Sequence, residues 1–508
     1  MPIIIKPESV FRLISLEVGR HPVLGNITLT FDNDVDYQIS PMIYTTVIIG
    51  ANGIGKTYLL KVIVDIFNYV FELNHSETTP RSLGYDYEIT YWYNEHTFTI
   101  KNYSGDGNVR RNTKIADKMV CQIDGNRIGV HDCILPNVVV ASAMTVTDKF
   151  PVKPVGEMYR YQGIRSESSP STTGTRTLVR KTVEGLVRCL KVKGGYREEL
   201  ALLLDVLGFQ HTLKVRYQIK YKEVFLKDNM NPELLCDIFD NKGKQFFKKR
   251  DSDLWGKRFF DKMRDDRDIL ERICEYYRRI SRTLDVKQSH LSVEYDVFQA
   301  DIEHDAETLL LLSRLDIISF PTIIIAKQHQ YDFVNSSSGE THLLCQMIGI
   351  MSDIKKGGLV LIDEPETSSH PNWQIQYIGW LKRVFREYNS CHFIISTHSH
   401  FLLSDLEPET STIIALERSN DNLRNIGEGL NTFCWSTDDI LYRVFHVRNT
   451  RNSVFEEKVA ELYYRISNRD NDLVLIKNLT DELSGYQLHD GDPLMRLIKA
   501  AEEYVKIN

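Results

Sequence analysis

Gly50-Ala51-Asn52-Gly53-Ile54-Gly55-Lys56-Thr57 follows G-x-x-x-x-G-K-[ST], the pattern of a phosphate-binding loop. Its flanks suit that reading. Residues 44–49 form an apolar, β-branched run, which predicts a buried strand leading into the loop. Residues 58–71 are rich in apolar side chains and predict the helix that follows. Glycines let the backbone curl until its N–H groups face phosphate oxygens at a helix N-terminus. Lys56 would place a point charge on the β- and γ-phosphates, and the Thr57 hydroxyl would ligate Mg²⁺. ATP and Mg²⁺ are the expected cofactors, with Gly50, Ala51, Asn52, Gly53, Ile54, Gly55, Lys56 and Thr57 around the phosphates.

Gly358-Leu359-Val360-Leu361-Ile362-Asp363-Glu364-Pro365-Glu366 is the second motif. Four apolar residues predict a buried parallel strand that delivers two carboxylates at its C-terminal end, where ligands sit in open α/β sheets. Asp363 suits the Mg²⁺-holding Walker B position, and Glu364 suits the general base that polarises water.

Two further stretches narrow the class. Ser336-Ser337-Ser338-Gly339-Glu340 opens an apolar helix at 341–351, with Ser338 25 residues before Asp363. Serine hydroxyls and a glycine at a helix start can bind an anion, although the same residues also make an ordinary cap. Ser396-Thr397-His398-Ser399 ends an apolar strand at 392–395, with His398 35 residues after Asp363. A histidine there can touch a γ-phosphate, or it can be a satisfied buried side chain.

The order P-loop, Ser-Gly-Glu, Asp-Glu, His resembles that of an ABC-type ATPase head, and within that superfamily the OLD-like and RecF/SMC-like ATPases. Asp363-Glu364-Pro365-Glu366-Thr367-Ser368-Ser369-His370-Pro371 resembles the Asp-Glu-Pro-Glu…His-Pro block of OLD-like proteins, and Ser338-Gly339-Glu340 their shortened signature. Residues 11–31 resemble their paired N-terminal strands. The resemblance covers roughly 1–165 and 300–450. It implies an α/β fold with a mixed sheet flanked by helices. It also implies an Mg²⁺-dependent ATPase whose protomers sandwich ATP: one supplies the P-loop, Asp363, Glu364 and His398, the other Ser338, Gly339 and Glu340. Gln162, at the end of a short predicted strand, would sense Mg²⁺ and the attacking water, or be a plain loop glutamine. The signature departs from Leu-Ser-Gly-Gly-Gln, which bears on the strength of dimer closure and not on the fold.

Composition sets bounds. The 508 residues are 42% hydrophobic and 26% charged, as in large soluble chains. No apolar run reaches the roughly 18–20 residues of a membrane span, and residues 1–10 lack a signal-peptide layout. Eight scattered cysteines without a C-x-x-C pair suit a reducing cytoplasm. Net charge is −7, yet two basic clusters stand out: Arg176, Arg180, Lys181, Arg188, Lys191, Lys193 and Arg197, then Lys242, Lys244, Lys248, Lys249, Arg250, Lys257 and Arg258. Each is either a solvated helix face or a nucleic-acid contact.

The chain divides into a first ATPase lobe (1–165), a mostly helical insertion (166–300), a second lobe (301–425) and a helical C-terminal region (426–508). Residues 166–175 read as a mobile Ser/Thr/Gly loop, 213–225 as a strand or hairpin, 254–284 as one amphipathic helix, and 317–325 as a strand of the core. No sustained heptad run exists, which argues against a tethering arm. Asp490-Gly491-Asp492, an Asp-x-Asp after the last core strand, reads as a helix start, so no nuclease within the chain is expected. The resemblance implies a sensor or scaffold of an anti-phage complex, of the kind seen in Septu and PARIS systems, controlling a separate nuclease. The alternatives are a RecF-like ATPase clamping DNA and a transport ATPase with separate membrane subunits.

Overall fold

The P-loop strand, Tyr44–Gly50, lies inside a seven-stranded sheet. The computed structural model describes residues 9–32, 42–76, 80–102, 119–165, 175–192, 195–242, 259–284, 291–299, 302–419, 422–445, 452–486, 492 and 494–507. The chain separates into two units, Met1–Ile440 and Leu441–Asn508.

The seven strands run in the order Asn422–Asn425, Ser411–Ser419, Tyr44–Gly50, His392–Ser396, Leu359–Asp363, Val139–Ala143 and Tyr159–Gly163. All neighbours are parallel except the first pair. The three strands 139–143, 359–363 and 392–396 are buried at every position. This is why they read as unbroken apolar runs and not as alternating patterns. Register then decides the site. Ile48 pairs with Ser396, Ser396 with Asp363, Asp363 with Ala143, and Ala143 with Gly163. These five residues share one rung, so the segments that follow all leave the sheet at the same edge.

A six-stranded antiparallel sheet runs Gly25–Thr30, Phe11–His21, Asp86–Tyr93, His96–Asn102, Val120–Ile123, Asn126–Ile128. The P-loop helix, Lys56–His75, shares one apolar core with both sheets through Leu59, Ile63, Phe67 and Val70. Phe11 stacks on Tyr91 with ring centroids 5.5 Å apart, and Tyr91 on Phe98 at 5.4 Å. Alternation in Asp86–Tyr93 supplies the inward tyrosines 87, 91 and 93.

Three expectations about the middle of the chain are corrected. The strand expected at 317–325 forms at Thr322–Ala326 and joins a separate antiparallel sheet, Ser292–Asp296, Leu213–Gln218, Thr322–Ala326, Gln330–Asp332. Its partner is the insertion strand Leu213–Gln218, because an apolar run fits any buried sheet and pairing is a long-range choice. The 254–284 helix is broken. Among the described residues its main part is Arg267–Thr283, capped by Asp266, whose side chain accepts from the Ile269 amide at 3.1 Å. The strand-like run at 213–225 stops at Gln218, and Tyr221, at φ 49°, leads into a short helix at Lys222–Phe225. Residues 166–174, expected to be mobile, lie outside the described residues.

The unit Leu441–Asn508 holds helices Ser453–Ser467, Leu473–Ser484 and Leu494–Ile507 around Leu462, Ile476, Leu483 and Ile498. Asp490 and Gly491 lie outside the described residues, and Asp492 accepts from the Leu494 amide at 2.9 Å as a helix start. Among the described residues no helix is long and apolar enough to cross a membrane.

Candidate active site

The P-loop forms where the parallel strand ends and the helix begins. Gly53 at φ 75° and Gly55 at φ 115° hold backbone that a side chain rarely adopts. A Cβ on Gly55 would also lie 2.7 Å from Leu24 Cδ2, so the turn before Gly25–Thr30 closes against the loop. Arg418 reinforces that closure, donating to the Val23 carbonyl at 3.1 Å and the Ile54 carbonyl at 3.3 Å.

Lys56 is 4% exposed, and its ammonium donates to the Gly50 carbonyl at 2.8 Å. The same Nζ lies 2.9 and 3.0 Å from the two ring nitrogens of His398. Burial pushes the Lys56 pKa down to about 8, against the pull of Glu364, Glu366 and Asp363. A half-dry ammonium facing three carboxylates is a charge arrangement suited to anionic phosphate oxygens with a divalent cation beside them.

Asp363 shares its rung with Ser396, whose hydroxyl donates to Asp363 Oδ1. The Thr57 hydroxyl donates to Asp363 Oδ2 at 2.9 Å. Burial pushes the Asp363 pKa up to about 6, with the two hydroxyls opposing it and Glu364 and Asp148 adding to it. A hydroxyl and a carboxylate in contact are hard oxygen donors, which fits Mg²⁺ held by few protein ligands. The residues present therefore fit a nucleoside triphosphate with Mg²⁺: Gly50 to Thr57 for the phosphates, Thr57 and Asp363 for the metal.

Glu364 is the first residue beyond the strand and sits at φ 50°, with its amide donating to the Ser396 carbonyl at 2.9 Å. This turn aims the side chain back over the sheet edge. His398 Nε2 is 3.5 Å from Glu364 Oε1, and the contact with His398 holds the Glu364 carboxyl below its usual range despite burial. Glu364 is thus ionised at neutral pH and can accept a proton.

The signature segment forms a capping box. Ser337 Oγ accepts from the Glu340 amide at 3.2 Å, and Glu340 Oε2 accepts from the Ser337 amide at 2.9 Å. Glu340 also pairs with Lys327, so its carboxylate serves its own helix and is not presented to a ligand. The Ser-x-x-Glu spacing of residues 337–340 carried the signal for that cap. Ser338 stays exposed at the helix start. Gly339 is pressed against the loop after the Walker B strand, where a Cβ would meet the Ser368 carbonyl at 2.8 Å.

Gln162 is not brought to the carboxylates. It sits one rung before Gly163 on the edge strand, donates to Asp353, and lies against Gly349 of helix Ser338–Asp353. The strand beside Walker B is Val139–Ala143, and the segment that leaves it carries Asp148, the group that adds to the Asp363 shift. Asp148 is fully buried, accepting from Tyr161 Oη at 2.8 Å and Arg165 Nε at 2.8 Å. Asp148, Arg165, Ser396 and Glu366 were missed as site residues. Ser396, in the Ser-Thr-His run, and Glu366, in the Asp-Glu-Pro-Glu block, carried a signal.

Part of the first basic cluster is engaged within the chain. Arg188 pairs with Asp353 at 3.2 Å, Lys191 with Glu307, and Lys181 donates to the Gly163 carbonyl at 2.6 Å. Lys193 and the second cluster from Lys244 to Arg258 lie outside the described residues, as does the Lys242 side chain.

A glycine loop, a buried lysine, a carboxylate pair and a histidine on adjacent parallel strand ends have the arrangement of a P-loop nucleotide site. Residues 327–404 match the family described as AAA domain, putative AbiEii toxin, Type IV TA system. The Septu protein PtuA of Bacillus thuringiensis is 24% identical over 146 residues, 28% of this chain. The chain spans 35% of that relative's length. Among solved structures, the SMC head domain from Thermotoga maritima is similar at 12% identity and a TM-score of 0.34, over 82% of this chain and 98% of that one. The Smc head domain with an extended coiled coil from Pyrococcus furiosus, bound to the C-terminal domain of ScpA, gives 12% and 0.31, over 86% and 100%.

Proposed function

We propose that this chain is the Mg²⁺-dependent, ATP-hydrolysing sensor or scaffold of a bacterial anti-phage complex that controls a separate nuclease. The observation that carries the ATPase part is the shared rung of Ile48, Ser396 and Asp363, from which the P-loop, His398 and Glu364 all emerge. Mg²⁺ would supply charge neutralisation at the phosphates, held through Thr57 and Asp363. Lys56 binds the phosphates, and the P-loop orients them. Glu364 Oε takes the proton of the attacking water, and His398 lies beside Lys56 to contact the γ-phosphate. The exposed Ser338 and the buried Gly339 behind it offer a helix start to a second protomer, which makes an ATP-sandwiched homodimer the economical assembly.

The defence part rests on the similarity to a Septu protein and on the Asp-Glu-Pro-Glu…His-Pro block. The ion pairs of the helix Thr175–Val192 take support from direct DNA clamping. The test is the native mass of the complex purified from its source with neighbouring gene products, with and without ATP. A homo-oligomer carrying a nuclease-sized second subunit is expected. A bare ATP-dependent dimer would instead favour the DNA clamp.

A further inference from the structure

Beyond its electrostatic pull on Lys56, Glu366 has no role in the chemistry described so far, yet its carboxylate is placed with care. The chain turns tightly after Glu364: the Thr367 amide donates to the Glu364 carbonyl at 3.2 Å and the Ser369 amide to the Glu366 carbonyl at 2.9 Å. This folds the Glu366 side chain under the segment that follows strand His392–Ser396. Its Oε1 accepts from the His398 amide at 2.6 Å. Its Oε2 is sealed from solvent without a hydrogen-bond partner among the described residues. A carboxylate that only terminated a turn would keep both oxygens in water, where solvation is free.

The His398 amide is the first N–H beyond the sheet ladder that needs an outside acceptor. The Thr397 amide still reaches the Ile48 carbonyl at 2.9 Å, and the Ser399 amide is satisfied locally by Thr397 Oγ1 at 2.9 Å. The Glu366 oxygen accepts from that amide at 2.6 Å, short for an N–H···O bond. The peptide plane of residue 398 sets the direction of the imidazole, which meets Lys56 Nζ and Glu364. A second tie runs in parallel. Gln374 accepts from Ser399 Oγ at 2.5 Å and donates to the Ser369 carbonyl at 2.8 Å.

We infer that Glu366 is a positioning residue for ATP hydrolysis: its carboxylate grips the His398 amide and so sets the imidazole between Lys56 and Glu364. Glu366 acts through the His398 amide. Its loss lets His398 swing while the P-loop stays intact. The inference rests on the ATPase reading above.

The experiment is steady-state Mg-ATP turnover of the full chain, with nucleotide affinity and thermal midpoint measured on the same samples. Glu366→Ala is expected to lower kcat by about 10- to 100-fold, the cost of a misplaced group, with KM within about threefold of wild type. Glu366→Gln keeps an acceptor and is expected to recover a large part of kcat. Should Glu366→Ala fail to fold, Glu366→Asp carries the test. Its carboxylate keeps the charge but ends one methylene short of the amide, so kcat falls at unchanged KM. Wild-type kcat in a folded Glu366→Ala or Glu366→Asp overturns the inference alone. Parallel loss of kcat, affinity and midpoint without recovery in Glu366→Gln also overturns it, since that is a structural role. No turnover in the wild type overturns the ATPase reading and this inference with it.

Discussion

Asp363 ionises in a place that disfavours charge, and the cost is measurable. Its folded pKa of about 6 lies above the ordinary 3.8, so the folded state binds the proton more tightly than the unfolded one. The penalty is full above about pH 6 and vanishes below 3.8. A shift of about two units corresponds to roughly 3 kcal/mol. Asp363→Asn should therefore raise the thermal midpoint at pH 7 while abolishing turnover. That gain should shrink as pH falls through the window between 6 and 3.8, as thermal unfolding across pH would show. Glu364 sits at the opposite extreme, held ionised by His398. Glu364→Gln should keep ATP affinity within a few-fold and lower kcat by about 10²–10⁴-fold, the usual worth of a general base. Turnover at the wild-type rate in that variant would remove Glu364 from the role. Asp363 and Glu364 were legible because the motif is contiguous and both carboxylates close a buried strand. Asp148 was not, because its influence comes through strand pairing with Val139–Ala143.

At the scale of elements, the P-loop is a junction between strand Tyr44–Gly50 and helix Lys56–His75 that only glycine backbone allows. Gly55→Ala meets two obstacles, a φ of 115° and a Cβ contact of 2.7 Å with Leu24. It should destabilise the chain by about 1–3 kcal/mol. It should also weaken nucleotide binding, because the loop amides lose their common direction. Chemical denaturation with a parallel nucleotide titration would separate the two losses. Unchanged affinity would mean the loop tolerates a different curl. The signature helix shows the reverse case. Its Ser-x-x-Glu spacing announces a capping box, and Glu340 forms one with Ser337. Edge strand Tyr159–Gly163 was also readable as a strand, yet the direction of Gln162 was not, because that depends on Gly349 and Asp353 packing over it.

For the whole molecule, one chain holds a P-loop, a Walker B pair and a signature helix start, and a second protomer would complete the site. The Glu364→Gln variant with Mg-ATP should double in mass by analytical ultracentrifugation, and should stay monomeric with ADP. Ser338 is exposed at the signature helix start. Ser338→Arg should block the doubling without moving the thermal midpoint. A mass that ignores nucleotide in both variants would dispose of the sandwich.

The sequence by itself determined the P-loop, the Walker B strand, the His398 strand end and the parallel order they imply. Each is a short contiguous pattern whose chemistry is local: glycine dihedrals, β-branched burial, carboxylates at a strand terminus. Tertiary structure alone decided the rung that aligns Ile48, Ser396 and Asp363. It also decided the pairing of Thr322–Ala326 with Leu213–Gln218, the capture of basic residues such as Arg188 by Asp353, and the grip of Glu366 on His398. These choices join residues far apart along the chain. Strand register and side-chain direction settle them, and no short stretch of sequence records either.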